Sequence, residues 1–132
     1  MPLNLRVTLF VILTTLLLGA FQNANATHIS EPILNDSKTT FRLGENIILN
    51  GWVNYANKPT ADVLLAFKVT RPDGSIATEA SYTSDNNGQF EFEFVTNTEP
   101  GKYLMTITSH CQAIHRSICT YKNQTLTIDI VE

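Results

Sequence analysis

Ser109-His110-Cys111-Gln112-Ala113-Ile114-His115-Arg116-Ser117-Ile118-Cys119 concentrates the reactive side chains of this 132-residue chain, with both cysteines and two of the three histidines. Three arrangements compete for these groups. In an oxidising compartment, two thiols this close in sequence join most simply as a Cys111–Cys119 disulfide. Closing that ring is worth about 2.5 kcal/mol in the chain-entropy account. Thiolates and imidazoles also favour copper or zinc, and Cys111, His115 and Cys119 recur every four residues with His110 adjacent. Unpaired or intermolecular cysteines are the third arrangement. The spacing alone leaves all three open.

Other constellations have simpler explanations. Glu91 and Glu93 fall on one face of a strand, where a calcium contact is conceivable, but a solvated sheet face accounts for them. Asp85-Asn86-Asn87-Gly88 lacks the downstream glutamate of a calcium loop and is adequately explained as a turn. Asn35-Asp36-Ser37 and Asn123-Gln124-Thr125 are glycosylation sequons, meaningful only in a host with that machinery. Neither a nucleophile elbow nor a phosphate-binding glycine loop is present in the sequence. Trp52 is the aromatic that matters for recognition. Clean strand alternation puts it outside with Ile48 as a partner contact, whereas a bulge at Gly51 returns it to the core.

The compartment follows from the first residues. Arg6, an uncharged apolar run over 7–21 and Ala24-Asn25-Ala26 form a signal peptide with cleavage expected after Ala26. The run of 15 residues is shorter than the roughly 20 that a spanning helix needs, so a retained anchor is the weaker reading. Residues 1–26 are therefore expected to leave, 27–38 to form an extended lead-in, and 39–132 to form one domain. The mature charge, 8 basic against 12 acidic residues, is −4. Such a balance argues against nucleic-acid binding, which draws on Lys and Arg facing phosphates. A secreted, periplasmic or cell-surface location is expected, with no stable membrane span after cleavage.

Period-two alternation then runs through the mature chain. Ile47, Leu49, Gly51, Val53 and Tyr55 share one face; Val63, Leu65, Phe67 and Val69 share another, and a weaker strand follows over 75–83. Phe90, Phe92 and Phe94 alternate with Gln89, Glu91 and Glu93, a spacing that no helix can use to hide three rings. Tyr103, Met105 and Ile107, then Leu126, Ile128 and Ile130, complete the series. Arg71-Pro72-Asp73-Gly74 marks one hairpin, and Asn87-Gly88 predicts another with a primed turn. The fold class is all-β: an immunoglobulin-like β-sandwich of about seven antiparallel strands after a cleaved signal peptide.

The segments Phe41-Arg42-Leu43-Gly44-Glu45, Leu49-Asn50-Gly51-Trp52-Val53, Arg71-Pro72-Asp73-Gly74, Thr83-Ser84-Asp85-Asn86-Asn87-Gly88-Gln89-Phe90 and Pro100-Gly101-Lys102-Tyr103 resemble macroglobulin-type (second-domain-like) and bacterial immunoglobulin-like domains of exported proteins. The resemblance covers about 39–107 and implies an extracytoplasmic structural or binding role. The thioester motif of full macroglobulins is absent from the sequence, so protease trapping is not implied. The expected function is that of a non-enzymatic interaction module without a cofactor: adhesion, envelope scaffold or accessory subunit. It would bind a protein or cell-envelope component through a sheet face or edge strand. The alternative is a copper carrier or redox protein using Cys111, His115 and Cys119, with His110 beside them. Its loop is similar to that of blue copper proteins, which also need an upstream histidine, and His28 is the only one here.

Overall fold

A computed structural model describes residues 28–36 and 38–132. The expected signal segment lies outside these residues. Among the described residues ten strands follow one another: β1 (His28–Leu34), β2 (Thr40–Arg42), β3 (Asn46–Tyr55), β4 (Lys58–Pro59), β5 (Leu64–Thr70), β6 (Ile76–Thr83), β7 (Gln89–Val95), β8 (Gly101–Ser109), β9 (Cys119–Tyr121) and β10 (Asn123–Val131). One sheet has the order β4-β3-β1-β9, with β7 also paired to β3; the other has the order β2-β10-β8-β5-β6. Their inner faces supply one core. Ile47, Leu49, Val53, Phe90, Phe92 and Phe94 come from the first sheet, and Leu65, Phe67, Val69, Tyr103, Met105, Ile107 and Ile128 from the second. Phe67 stacks on Phe92 across the layers at 4.6 Å and meets Phe90 edge-on at 5.5 Å. Burying each such ring contributes about 1.5–3 kcal/mol.

The two-sheet, nearly all-strand architecture agrees with the alternation in the sequence, and four details differ. Regular structure is already present at His28, before Thr39, because 28–34 is a strand paired to β3 on one side and in parallel to β9 on the other. Its inward residues include Ser30 and Pro32, which leave no hydrophobic period to read. Pro32 is tolerated since Ile29 O and Asn35 N bond towards β3, so the proline nitrogen faces the opposite side, where pairing to β9 ends at Ser30. Secondly, the strands are not all antiparallel: β1 with β9 and β2 with β10 are parallel.

Thirdly, Asn87-Gly88 does not close a hairpin. β6 and β7 belong to different sheets, and the segment between them is a corner. Only Gly88 takes positive φ there, at 75°, while Asp85 Oδ1 accepts from Asn87 N at 2.8 Å and Gln89 N at 2.9 Å. The primed-turn geometry appears instead between β3 and β4, where Ala56 and Asn57 have φ of 51° and 67°. Arg71-Pro72-Asp73-Gly74 does close the β5–β6 hairpin. Asp73 accepts from Ser75 Oγ at 2.6 Å and Ser75 N at 2.9 Å, which holds its carboxyl below the usual carboxylate value.

Fourthly, no bulge interrupts β3 at Gly51. Inward positions remain Ile47, Leu49, Gly51, Val53 and Tyr55, so Trp52 stays outward with Ile48 and the core placement is excluded. A Cβ on Gly51 would overlap the Ile33 carbonyl oxygen and come within 2.5 Å of Phe90 Cζ. The glycine therefore admits the Phe90 ring and lets β1 approach, as a close backbone contact.

Two outcomes are expected. Gly51→Ala destabilises the protein by about 2–3 kcal/mol in urea titrations, because neither the paired carbonyl nor the buried ring can retreat. Tyr82 of β6 donates to the Glu91 carbonyl of β7, tying the sheets at one edge, and burial followed by the Glu91 charge pushes its hydroxyl up from 10.0 to about 12. A raised pKa favours the neutral phenol in the folded state. Its stabilisation is complete below pH 10 and is lost as pH rises through about 12. Spectrophotometric titration should show a tyrosinate transition near 12 that Tyr82→Phe removes.

Candidate functional site at the disulfide loop

The second sheet delivers the loop and the first sheet holds it. β8 ends at Ser109; the chain then crosses to the other layer, adds β9 beside β1, and returns as β10 paired to β8. Ser30 Oγ of β1 donates to the His110 carbonyl at 3.0 Å, and His110 N donates to Leu64 O at 2.9 Å. The loop is closed by a Cys111–Cys119 disulfide with Cα atoms 5.9 Å apart. Inside it, a single 3-10 turn runs over Ala113–His115.

Tyr55, at the inward end of β3, is the fixed point beneath this loop. Its side chain is buried, and its hydroxyl accepts from Gln112 N at 3.3 Å and pairs with His115 Nδ1 at 2.8 Å. His115 in turn stacks on His28 of β1, with ring centroids 4.3 Å apart and planes 22° from parallel. Gln112 Nε2 reaches Ala61 O at 3.3 Å, and His28 N donates to Ile118 O at 3.0 Å. Backbone, side chains and a covalent bond thus restrain a segment with no long regular element of its own.

Of the four residues of the metal alternative, His110, Cys111 and Cys119 line one cleft, and His115 packs elsewhere. Cys111 and Cys119 are bonded to one another, so a thiolate pair exists only after reduction. His110 packs against Tyr121 at 5.7 Å, while His115 packs against His28 and Tyr55. Among the described residues no group of three or more His, Cys, Asp and Glu is placed to hold a metal ion.

A cleft of about 370 Å³ opens beside the disulfide, lined by Leu64, His110, Cys111, Arg116, Cys119 and Tyr121. The sequence reading passed over Tyr55, Arg116 and Tyr121. Tyr55 lies 57 positions from its partner Gln112. It carries only the signal of an inward strand residue, and no local pattern announces such a contact.

Ile48 and Trp52 form a second surface, on the outer face of the first sheet. Trp52 lies in register between Ile33 of β1 and Gln89 of β7, and Ile48 lies beside Glu93. Ile48 is 43% exposed and Trp52 is half-buried by its neighbours. Glu91 and Glu93 share this face, and Asn46 Nδ2 donates to Glu93 Oε1.

No protein-family model matches the chain, and no curated protein matches it. Among solved structures, the D00-D0 domain of intimin is similar at 14% identity with a TM-score of 0.51, over 85% of this chain and 51% of that one. The CARDB domain of a Pyrococcus furiosus protein, solved in complex with di-metal ions, aligns at 9% identity over 79% of this chain and 87% of its own, with a TM-score of 0.45. The sporulation control protein Spo0M of Bacillus subtilis aligns at 13% identity over 80% of this chain and 50% of its own, with a TM-score of 0.46. The chain spans about half of the intimin and Spo0M structures. At such identities the likeness concerns the fold, and with the intimin domain it defines an immunoglobulin-like β-sandwich.

The covalent and the hydrogen-bonded restraints on the loop are separable. Reducing Cys111–Cys119 should lower stability by about 2.5 kcal/mol, seen as a lower urea midpoint in dithiothreitol. Tyr55→Phe, which leaves the disulfide intact, should cost about 1–2 kcal/mol and release the Gln112 amide to faster hydrogen exchange.

Proposed function

We propose that this chain is an exported, non-enzymatic interaction module that docks a protein or cell-envelope component through the outer face of its first sheet. The observation that carries the reading is the outward Trp52, set between Ile33 and Gln89 with Ile48 exposed along the same strand. A large amphipathic ring on a rigid sheet supplies contact area at little conformational cost, which is what an interface anchor needs. β6 offers a second means of contact, because it is the outermost strand of its sheet and can accept a partner strand. The signal-like residues 1–26, the disulfide and the intimin-like fold support an extracytoplasmic role, as does the resemblance to macroglobulin-type domains. Among the described residues no helix is long and apolar enough to cross a membrane.

The copper-carrier reading has less behind it, since both of its sulfurs are spent on the disulfide. Cross-linking the protein in its native envelope should yield a stoichiometric partner, and the Trp52→Ala, Ile48→Ala double variant should lose at least tenfold of that capture with an unchanged circular dichroism spectrum. Undiminished capture by the folded variant would remove the face from consideration. Stoichiometric copper in the purified protein, with thiols reactive before reduction, would replace the module with the carrier.

A further inference from the structure

We infer that the cleft beside the Cys111–Cys119 bond is a carboxylate-binding site that takes an acidic peptide segment, the carboxylate standing next to an apolar side chain. It is a different surface from the Trp52 face. The cleft falls within the size range of ligand pockets at about 370 Å³. Its walls are pre-set: the disulfide frames one side, and the loop is pinned by Tyr55, Ser30 and the Leu64 carbonyl. A ligand entering it would therefore have little loop ordering to impose.

The loop that frames the cleft differs in charge from the chain as a whole. The protein is acidic, with a formal charge of −3, yet 103–128 contains no Asp or Glu and holds His110, His115, Arg116 and Lys122. No carboxylate lines the cleft. Among the described residues the Arg116 side chain has neither an ion pair nor a hydrogen bond, although it lines the cleft directly. A guanidinium presents a planar fork of donors that matches a carboxylate in two parallel hydrogen bonds. His110 stands on the same lining, its ring packed against Tyr121.

The remaining lining is apolar and exposed. Leu64 is 46% exposed and Tyr121 is 56% exposed, and in the same loop Ile114 stands 84% exposed on the 3-10 turn. Such side chains favour a partner that brings hydrocarbon alongside its charge. A sugar acid would surround its carboxylate with hydroxyls, and Leu64 and the disulfide give those hydroxyls nothing to bond. The larger hollow on the second sheet, about 420 Å³, does not compete, because Lys68 and Glu79 lie opposite each other in its lining and no net charge selects a ligand.

The test is an amide-shift NMR titration of the disulfide-bonded protein with a capped tripeptide of leucine, phenylalanine and aspartate, and with the same tripeptide carrying asparagine. The aspartate peptide should shift the amides of His110, Arg116 and Tyr121 and bind at least tenfold more tightly than the asparagine peptide. Arg116→Ala should erase that difference, and Arg116→Lys should restore only part of it, since an ammonium cannot form the paired bonds. Trp52→Ala should leave the titration unchanged, which keeps this result separate from the fate of the proposed docking face. Equal binding of the two peptides, shifts confined to another surface, indifference to Arg116→Ala, or tighter binding of glucuronate than of the aspartate peptide would each overturn the assignment.

Discussion

The parity of β3 governs both surfaces of this molecule. A strand sends alternate side chains to opposite faces, so one inserted residue would exchange every inward and outward position beyond it. Gly51 is where that exchange was possible, and the register with β1 and β7 runs through it without a shift. Parity therefore survives as far as Tyr55. The same constraint that keeps Trp52 on the outer face carries the Tyr55 phenol inward, beneath the disulfide loop.

That placement explains how an irregular loop is held in one position. A buried hydroxyl must find partners or lose about 1–3 kcal/mol, and Tyr55 finds them in the Gln112 amide and the His115 ring. The disulfide acts on the other side of the balance by limiting the freedom of the unfolded chain. Neither restraint substitutes for the other: the covalent bond joins the loop to itself, and Tyr55 joins it to the first sheet.

Where a residue and its partner are local, the sequence was informative. Alternation located the inward faces of β3, β5, β7, β8 and β10, and Pro72-Asp73-Gly74 located a hairpin whose bonds run only from Arg71 to Ile76. The two cysteines are likewise close in the chain. Failure came where the deciding contact is remote or weakly apolar. Strand β1 presents Ser30 and Pro32 to the interior, and only pairing with β3 and β9 makes it a strand. Asn87-Gly88 has the composition of a primed hairpin, but Ser84 bonds to Thr60 and Val63 and fixes the chain as it passes to the other sheet. The cleft was illegible for the same reason, since Leu64 meets the loop through a carbonyl that accepts from His110 N, and Tyr121 is brought there by the pairing of β9 with β1.

The two proposed surfaces would ask different things of a partner. Around Trp52 the strand neighbours include Glu91 and Glu93, so that face combines an aromatic platform with negative charge. The disulfide end combines the Arg116 guanidinium, without an ion pair among the described residues, with leucine and tyrosine. Recognition of this kind needs a few side chains on rigid elements and no motif of fixed spacing. Surface residues on such a frame can change without disturbing Phe67, Phe92 and the inward rows that maintain the fold.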